Sequence, residues 1–407
     1  MTKRLNVMTM PEFLEARYCS GRLKLFSALV IFVFLVPYSA SVYIGLSYLF
    51  NQIFGIPYAY AVIFMCALTA VYLIMGGYRA VALTDLIQGL VMIVGVGVLL
   101  YFVVGSEKVG GIVNAVQGLK AIDPALAGIV GPPGPLALAS LVILTSLGVW
   151  GLPQMVQKFY AIKSEASIKP AIIISTLFAF IISLGAYFTG GLSRLMFTAL
   201  PVDPATGIAT PDMIMPVVIN TYLPEIAAAL ILLLVLSASM STLASLVLVS
   251  SSAIAIDLYK TVKPKQTSGE GIFLFRLLCL IFICLSLLIA LLKPAIILSL
   301  MGISWGVVAG FFLAPYLYGL FWRRATTAGA WASGLVGFSI AVFFSFYYHL
   351  DSNAIPIVAS AAMLISLVVL PVVSLFTRTL PKEHVSKVFG DQENCRSNIP
   401  VVQEDMV

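Results

Sequence analysis

Leu236–Tyr259 reads LSASMSTLASLVLVSSSAIAIDLY and follows directly on the apolar run Ile226–Val235, so the two continue one membrane-length helix. Nine of its residues carry hydroxyls: Ser237, Ser239, Ser241, Thr242, Ser245, Ser250, Ser251, Ser252 and Tyr259. On a helix Ser237, Ser241 and Ser245 share a face at i, i+4 spacing. Ala238, Ser241 and Thr242 stand at i, i+3, i+4, which aims one backbone carbonyl and two hydroxyls the same way. Hard cations such as Na⁺ are bound by oxygen of this kind. Small residues at this spacing also let two membrane helices pack closely. The spacing alone leaves both readings open.

The remaining sequence places this helix in a membrane. Of 407 residues, 61% are hydrophobic and 10% charged, with mean hydropathy +1.06, whereas soluble domains carry about 25% charged residues. The net charge of +6 is scattered through the loops, which suits a positive-inside membrane protein and not a nucleic-acid binder. The five cysteines form no CxxC; three lie in apolar runs and are expected as free buried thiols. His349 and His384 are the only histidines, both expected in loops, which argues against a His-based metal centre. The polar opening MTKRLNVMTMPEFLEARY is no signal peptide.

In order, an amphipathic cytoplasmic segment (1–24) precedes spans at about 25–50, 57–76, 85–104, 136–161, 168–197, 224–256, 272–292, 295–322, 328–348 and 354–376. Each clears the ~20 residues that a helix needs to cross a bilayer. The corner between the second and third spans is GGYRAVALTD (Gly76–Asp85), and 379–407 is a polar, poorly ordered cytoplasmic tail after a transmembrane domain 1–378. Ten spans with the first loop inside put both termini in the cytoplasm. Nineteen of the 23 Lys and Arg residues then fall inside, leaving Lys108, Lys120, Arg194 and Lys293 outside.

Ionisable residues near spans are expensive and point to function. Asp85 follows Thr84 at the start of the third span, where it serves either as a helix cap or as a carboxylate on an ion's path. Lys158 ends the fourth span, where a cation suits the helix C-terminus. Gly151-Leu152-Pro153 interrupts that span, either as a simple kink or as the kind of break that transporters use for binding sites. Trp150 beside it lines a cavity or sits in an aromatic belt. There is no HExxH, no phosphate loop and no Ser/His/Asp set, so an enzyme is not expected.

Five ordered blocks resemble the sodium:solute symporter family, which includes bacterial proline permease and the sodium–sugar cotransporters. They are VMTMPEFLEARY (Val7–Tyr18), GGYRAVALTDLIQGLVMIVG (Gly76–Gly95), GLPQMVQKFYAIKS (Gly151–Ser164), SASMSTLASLVLVSSSAIAIDLYK (Ser237–Lys260) and GLFWRRATTAGAWAS (Gly319–Ser333). The resemblance implies an all-α membrane protein with a LeuT-like inverted-repeat fold, Na⁺ coupling and alternating access. It makes the carbonyl of Ala238 and the hydroxyls of Ser241 and Thr242 the sodium ligands. It puts Asp85 on the sodium pathway, and Trp150, Gly151 and Pro153 by the substrate cavity.

Family members carry about three spans before the MPEFLEARY-type block, including a broken core helix that supplies the other sodium ligands. The resemblance therefore implies an N-terminally incomplete chain, or helices supplied by another polypeptide. The function expected is Na⁺-coupled symport of a small organic solute across the bacterial plasma membrane, with Na⁺ as coupling ion and no other cofactor. The alternatives are a non-transporting sensor or assembly subunit, or an inactive remnant on the same scaffold.

Overall fold

The structure is a computed structural model that describes residues 5, 7–160, 165–204, 206–259 and 268–390, with the side chains of 74–83, 160, 165, 258–259 and 268–270 outside the description. Among the described residues the chain is helical, with a single isolated β-bridge between Val202 and Ala209. In lipid the backbone must satisfy its own polar groups, and a helix does so within one segment.

A short helix α1 (Met10–Tyr18) precedes two long ones, α2 (Gly21–Phe54) and α3 (Tyr58–Gly105). A loop helix α4 (Ile112–Ile122) leads to α5 (Gly134–Ser146), a 3₁₀ turn at Gly148–Gly151 and α6 (Pro153–Tyr160). Next come α7 (Ile168–Ser193), α8 (Ile214–Tyr222) and α9 (Glu225–Ser252), which runs into a π-helical turn, Ala253–Tyr259. The chain continues as α10 (Ser268–Leu292), α11 (Ile297–Phe321), α12 (Thr327–Tyr347), α13 (Ala354–Phe376) and α14 (Lys382–Phe389). Nine described helical segments are long and apolar enough to cross a membrane, among them residues 84–105 of α3; the first part of α3, residues 58–73, is a shorter apolar stretch.

The bundle is organised around α11. Its most apolar window is 78% buried, against 6% for α7. It packs on α2, α12, α13 and the turn Gly148–Gly151. Glycine makes the closest crossing: a Cβ built on Gly337 of α12 would stand 2.1 Å from the Gly310 carbonyl oxygen. Removing side chains at this point lets the two backbones touch, a contact that dispersion rewards where lipid offers no hydrophobic contrast. Ile172, Ile173, Ile174 and Phe180 of α7 are exposed, as suits contact with acyl chains around most of its circumference.

Several expectations change. Asp85 does not open a helix: the backbone is helical from Tyr58 through Gly105, because no proline interrupts it and the glycine pair costs only about 1 kcal/mol per residue. The cap reading of Asp85 therefore fails. Arg79, expected on the cytoplasmic corner, lies outside the described side chains.

Cys66 and Cys279 are buried, but Cys284 is exposed on the outer face of α10. His384 and part of the expected tail form α14, which docks where Val388 is buried and the His384 ring lies 3.3 Å from the Arg17 carbonyl oxygen. Residues 391–407 of the tail lie outside the described residues.

Arg17 departs most from the expectation of a solvated cytoplasmic charge. It is fully buried, and burial pulls its guanidinium below the usual value. Nε donates to Gly319 O at 3.0 Å, and Nη2 to Trp322 O and Arg323 O at 2.9 and 3.3 Å. These carbonyls lie at and just beyond the C-terminus of α11, where the last turn has no intrahelical partners and its dipole attracts a cation. The neighbouring Tyr18 hydroxyl donates to Pro315 O at 2.7 Å. The MPEFLEARY and GLFWRR blocks are thus two halves of one junction.

Gly337→Ala is expected to cost about 1–3 kcal/mol by overpacking, while Gly97→Ala, with open space around it, is neutral or slightly stabilising. Thermal unfolding in detergent micelles distinguishes them. Arg17→Leu is expected to cost roughly 2–4 kcal/mol by stranding buried carbonyls, seen as a fall in the same midpoint.

Candidate functional site

The candidate site forms where α9 meets α3 and α2. The 3.6-residue period puts Ala238, Ser241 and Thr242 on neighbouring lines of α9, and the neighbouring helices divide them. Ser241 Oγ donates to Asp85 Oδ1 at 2.7 Å. Lys158 Nζ, from α6, stands 3.4 Å from the other oxygen, Asp85 Oδ2. A carboxylate inside a helix that crosses an apolar layer is thus held by one hydroxyl and one ammonium. The ammonium side chain is half exposed and the carboxylate about a quarter exposed (53% and 24%), so the ion pair itself contributes little. Positioning of the carboxylate is the larger consequence.

Thr242 Oγ1 donates to the Ala238 carbonyl oxygen at 2.9 Å. This bond brings two of the three expected ligand oxygens together. Both residues line a cavity of about 500 Å³ bounded by α2, α8, α9, the turn Pro211–Met213 and the start of α11. Tyr38, Ser41 and Ser239 add hydroxyls to a wall otherwise built by residues such as Leu46, Met215, Ile219 and Leu298. Asp212 is the cavity's carboxylate. Its Oδ2 accepts from Ile297 N–H at 3.0 Å. Burial lifts the Asp212 carboxyl above the usual carboxylate range, while the Ile297 N–H and the charge of Lys293 draw it back.

The residues expected beside the substrate do not meet this cavity. Trp150 is half exposed, and Gly151 is buried where a Cβ would stand 2.8 Å from Ala309 Cα of α11. Pro153 begins α6, where its missing N–H costs nothing because the first-turn donors have no intrahelical partner. The Gly-Leu-Pro interruption thus separates two helices, and none of its three residues lines the cavity around Ala238 and Thr242.

Sequence reasoning missed Tyr38, Ser41, Ser239 and Asp212, and the pairing of Lys158 with Asp85. Tyr38 and Ser41 gave a faint signal as polar residues inside the apolar run Leu25–Phe50. Ser239 was among the nine hydroxyls of Leu236–Tyr259 but off the expected ligand positions, and Asp212, between proline and apolar residues ahead of the sixth expected span, was not singled out.

A helical, multiply spanning body with an oxygen-bearing helix beside a partly polar cavity defines a membrane transporter. The sequence matches the sodium:solute symporter family over residues 1–337, and the chain belongs to that family. It is 31% identical over 342 residues to the sodium/pantothenate symporter of Haemophilus influenzae, an alignment covering 83% of this chain and 69% of that one. To the high-affinity proline transporter PutP of Bacillus subtilis it is 30% identical over 395 residues, covering 96% and 81%. The fold is shared with a Na⁺-coupled sialic acid symporter solved in a substrate-bound, outward-open state. That match has a TM-score of 0.73 at 20% identity and covers 94% of this chain and 80% of that one. All three are named as transporters, the Haemophilus and sialic acid proteins as sodium-coupled ones, and none as an enzyme.

Because Ser241 and Asp85 share a hydrogen bond, Ser241→Ala and Asp85→Asn are expected to be non-additive. A double-mutant cycle on unfolding should return a coupling of about 0.5–3 kcal/mol. Ser241→Ala combined with the distant Ser333→Ala should be additive within about 0.5 kcal/mol.

Proposed function

We propose that this chain is the body of a Na⁺-coupled symporter that moves a small organic solute by alternating access. The observation that carries this reading is the joining of the Ala238 carbonyl and the Thr242 hydroxyl on the cavity wall, with Ser241 of the same helix bonded to Asp85 of the distant α3. Carbonyl, hydroxyl and carboxylate oxygens suit a hard monovalent cation. In this reading Ala238 O and the hydroxyls of Ser241 and Thr242 are the sodium ligands. Asp85 relays the ion along its path, with Lys158 as the cation it releases when Na⁺ arrives. Lys158 acts as a tethered counter-charge beside the carboxylate when the site is empty.

The chain sits in a bacterial plasma membrane with both termini cytoplasmic, following the asymmetry of its basic residues. Pantothenate and proline, the solutes that name the relatives, are the first candidates to test. Three oxygens on one helix form one wall of an ion site. We infer that further membrane helices, supplied by another polypeptide or segment, complete the opposite wall. Trp150, Gly151 and Pro153 belong to the solute path only in a conformation that opens the α5–α6 junction.

The test is uptake of labelled pantothenate and proline into proteoliposomes under a sodium gradient. It is run with the chain alone and with the N-terminal spans of the Haemophilus relative co-expressed. Ser241→Ala and Thr242→Ala should each raise the sodium concentration for half-maximal uptake about tenfold, the loss of one oxygen ligand being worth about 1–3 kcal/mol. Unchanged sodium dependence in both variants overturns the ligand assignment. Full uptake by the chain alone overturns the need for completing helices.

A further inference from the structure

A second cluster of charge lies away from the sodium wall, at the corner between α10 and α11. Lys293 Nζ sits 2.7 Å from Asp203 Oδ2, with side chains 14% and 4% exposed. Two tyrosine faces enclose the same ammonium, with Nζ 3.5 Å from the Tyr58 ring centroid and 4.5 Å from that of Tyr48. Asp203 Oδ2 also accepts from the Tyr48 hydroxyl at 2.9 Å and from Thr206 Oγ1 at 3.2 Å. The backbone of Lys293 is left-handed, with φ +44°, a conformation that a residue with a Cβ adopts only at a cost. A strained lysine whose ammonium fills an aromatic and carboxylate cage is held there by that cage.

The cage ties three parts of the cavity wall together. Tyr48 lies on α2, whose Tyr38, Ser41 and Leu49 line the cavity. Asp203 lies in the segment that the Thr210 cap and the Asp203–Ile208 backbone bond carry into Asp212 and Met215. Lys293 leads straight into Ile297 and Leu298. Releasing the ammonium frees the α10–α11 corner and the segment before α8 together.

We propose that Lys293 and Asp203 are positioning residues for the cavity, fixing Asp212, Met215 and Ile297 relative to one another so that solvent access to this wall is restricted from their side of the membrane. The caged ammonium is the one cationic side chain that reaches this wall among the described contacts, and its partners come from three separate elements. The cavity's role as a solute path rests on the transport reading above; the hold of the cage on the wall does not.

The test uses the full chain in membranes and needs neither sodium nor solute. Met215→Cys introduces a thiol into the wall, on a background in which Cys19, Cys284 and Cys395 are serine. The buried Cys66 and Cys279 are retained, Cys279 as the internal reference. A membrane-impermeant maleimide is applied to each face of the membrane in turn, and labelling rates are read by mass spectrometry. Lys293→Met and Asp203→Asn should each raise labelling at position 215 about tenfold from one face, with Cys279 unchanged. Lys293→Arg, which keeps charge and ring contact, should hold the rate within about twofold. Tyr58→Leu removes one face of the cage without removing a charge and should give the same direction of change if Lys293→Met does not fold. Unchanged labelling in Tyr58→Leu and Asp203→Asn overturns the proposal, as does an equal rise at Cys279.

Discussion

Charge is costly in an apolar interior, and the way this chain holds its few inward charges orders the rest of the bundle. Arg17 is spent on the carbonyls at the end of α11, which joins the N-terminal helix to the central one. Asp85 is held by Ser241 across 156 residues of sequence, which fixes the rotation of α9 against α3. Asp257, fully buried in the π-helical turn after α9, accepts from Thr9 Oγ1 at 2.9 Å and lies 3.9 Å from Lys24 Nζ. Each bond sets the position of a helix that lipid-facing apolar surface alone would leave free to slide or turn.

α9 is thereby fixed at two points by different means. Asp85 meets it at mid-length, next to the expected ligand oxygens, while Thr9 and Lys24 hold its far end through Asp257. A helix anchored in this way presents Ala238 and Thr242 to the cavity at a defined height. The Thr242 hydroxyl is engaged with the Ala238 carbonyl. In the proposed sodium reading, an ion bound between them would exchange a neutral hydrogen bond for ion–oxygen contacts, a modest cost that would help the site release its ion as well as bind it.

Packing against the central helix follows a different rule. Gly310 and Gly337 approach at backbone distance, and Gly151 presses on Ala309. These contacts are built from absent side chains, so hydropathy does not reveal them. They also explain why the Gly-Leu-Pro interruption has a structural role in this conformation. Its glycine is needed for close approach to α11, whatever its proline contributes when the helices move.

Sequence by itself determined that the chain crosses a membrane many times, because sustained apolar runs of helical length have one stable outcome in lipid. Ordered motif blocks also identified the family, and within it the residues of α9 that bear oxygen. Spacing could not choose between a packing face and an ion face on Leu236–Tyr259, since small hydroxylated residues satisfy both. Tertiary structure made that division: Ser241 turns to Asp85, Thr242 and Ala238 turn to the cavity, and Ser250 and Ser251 are buried in packing. It also decided that Asp85 is inside a helix, that Arg17 is buried, and that Trp150, Gly151 and Pro153 lie off the cavity. The reason is physical. Period and composition fix which residues share a helix face, but the partner of that face is set by helices distant in sequence.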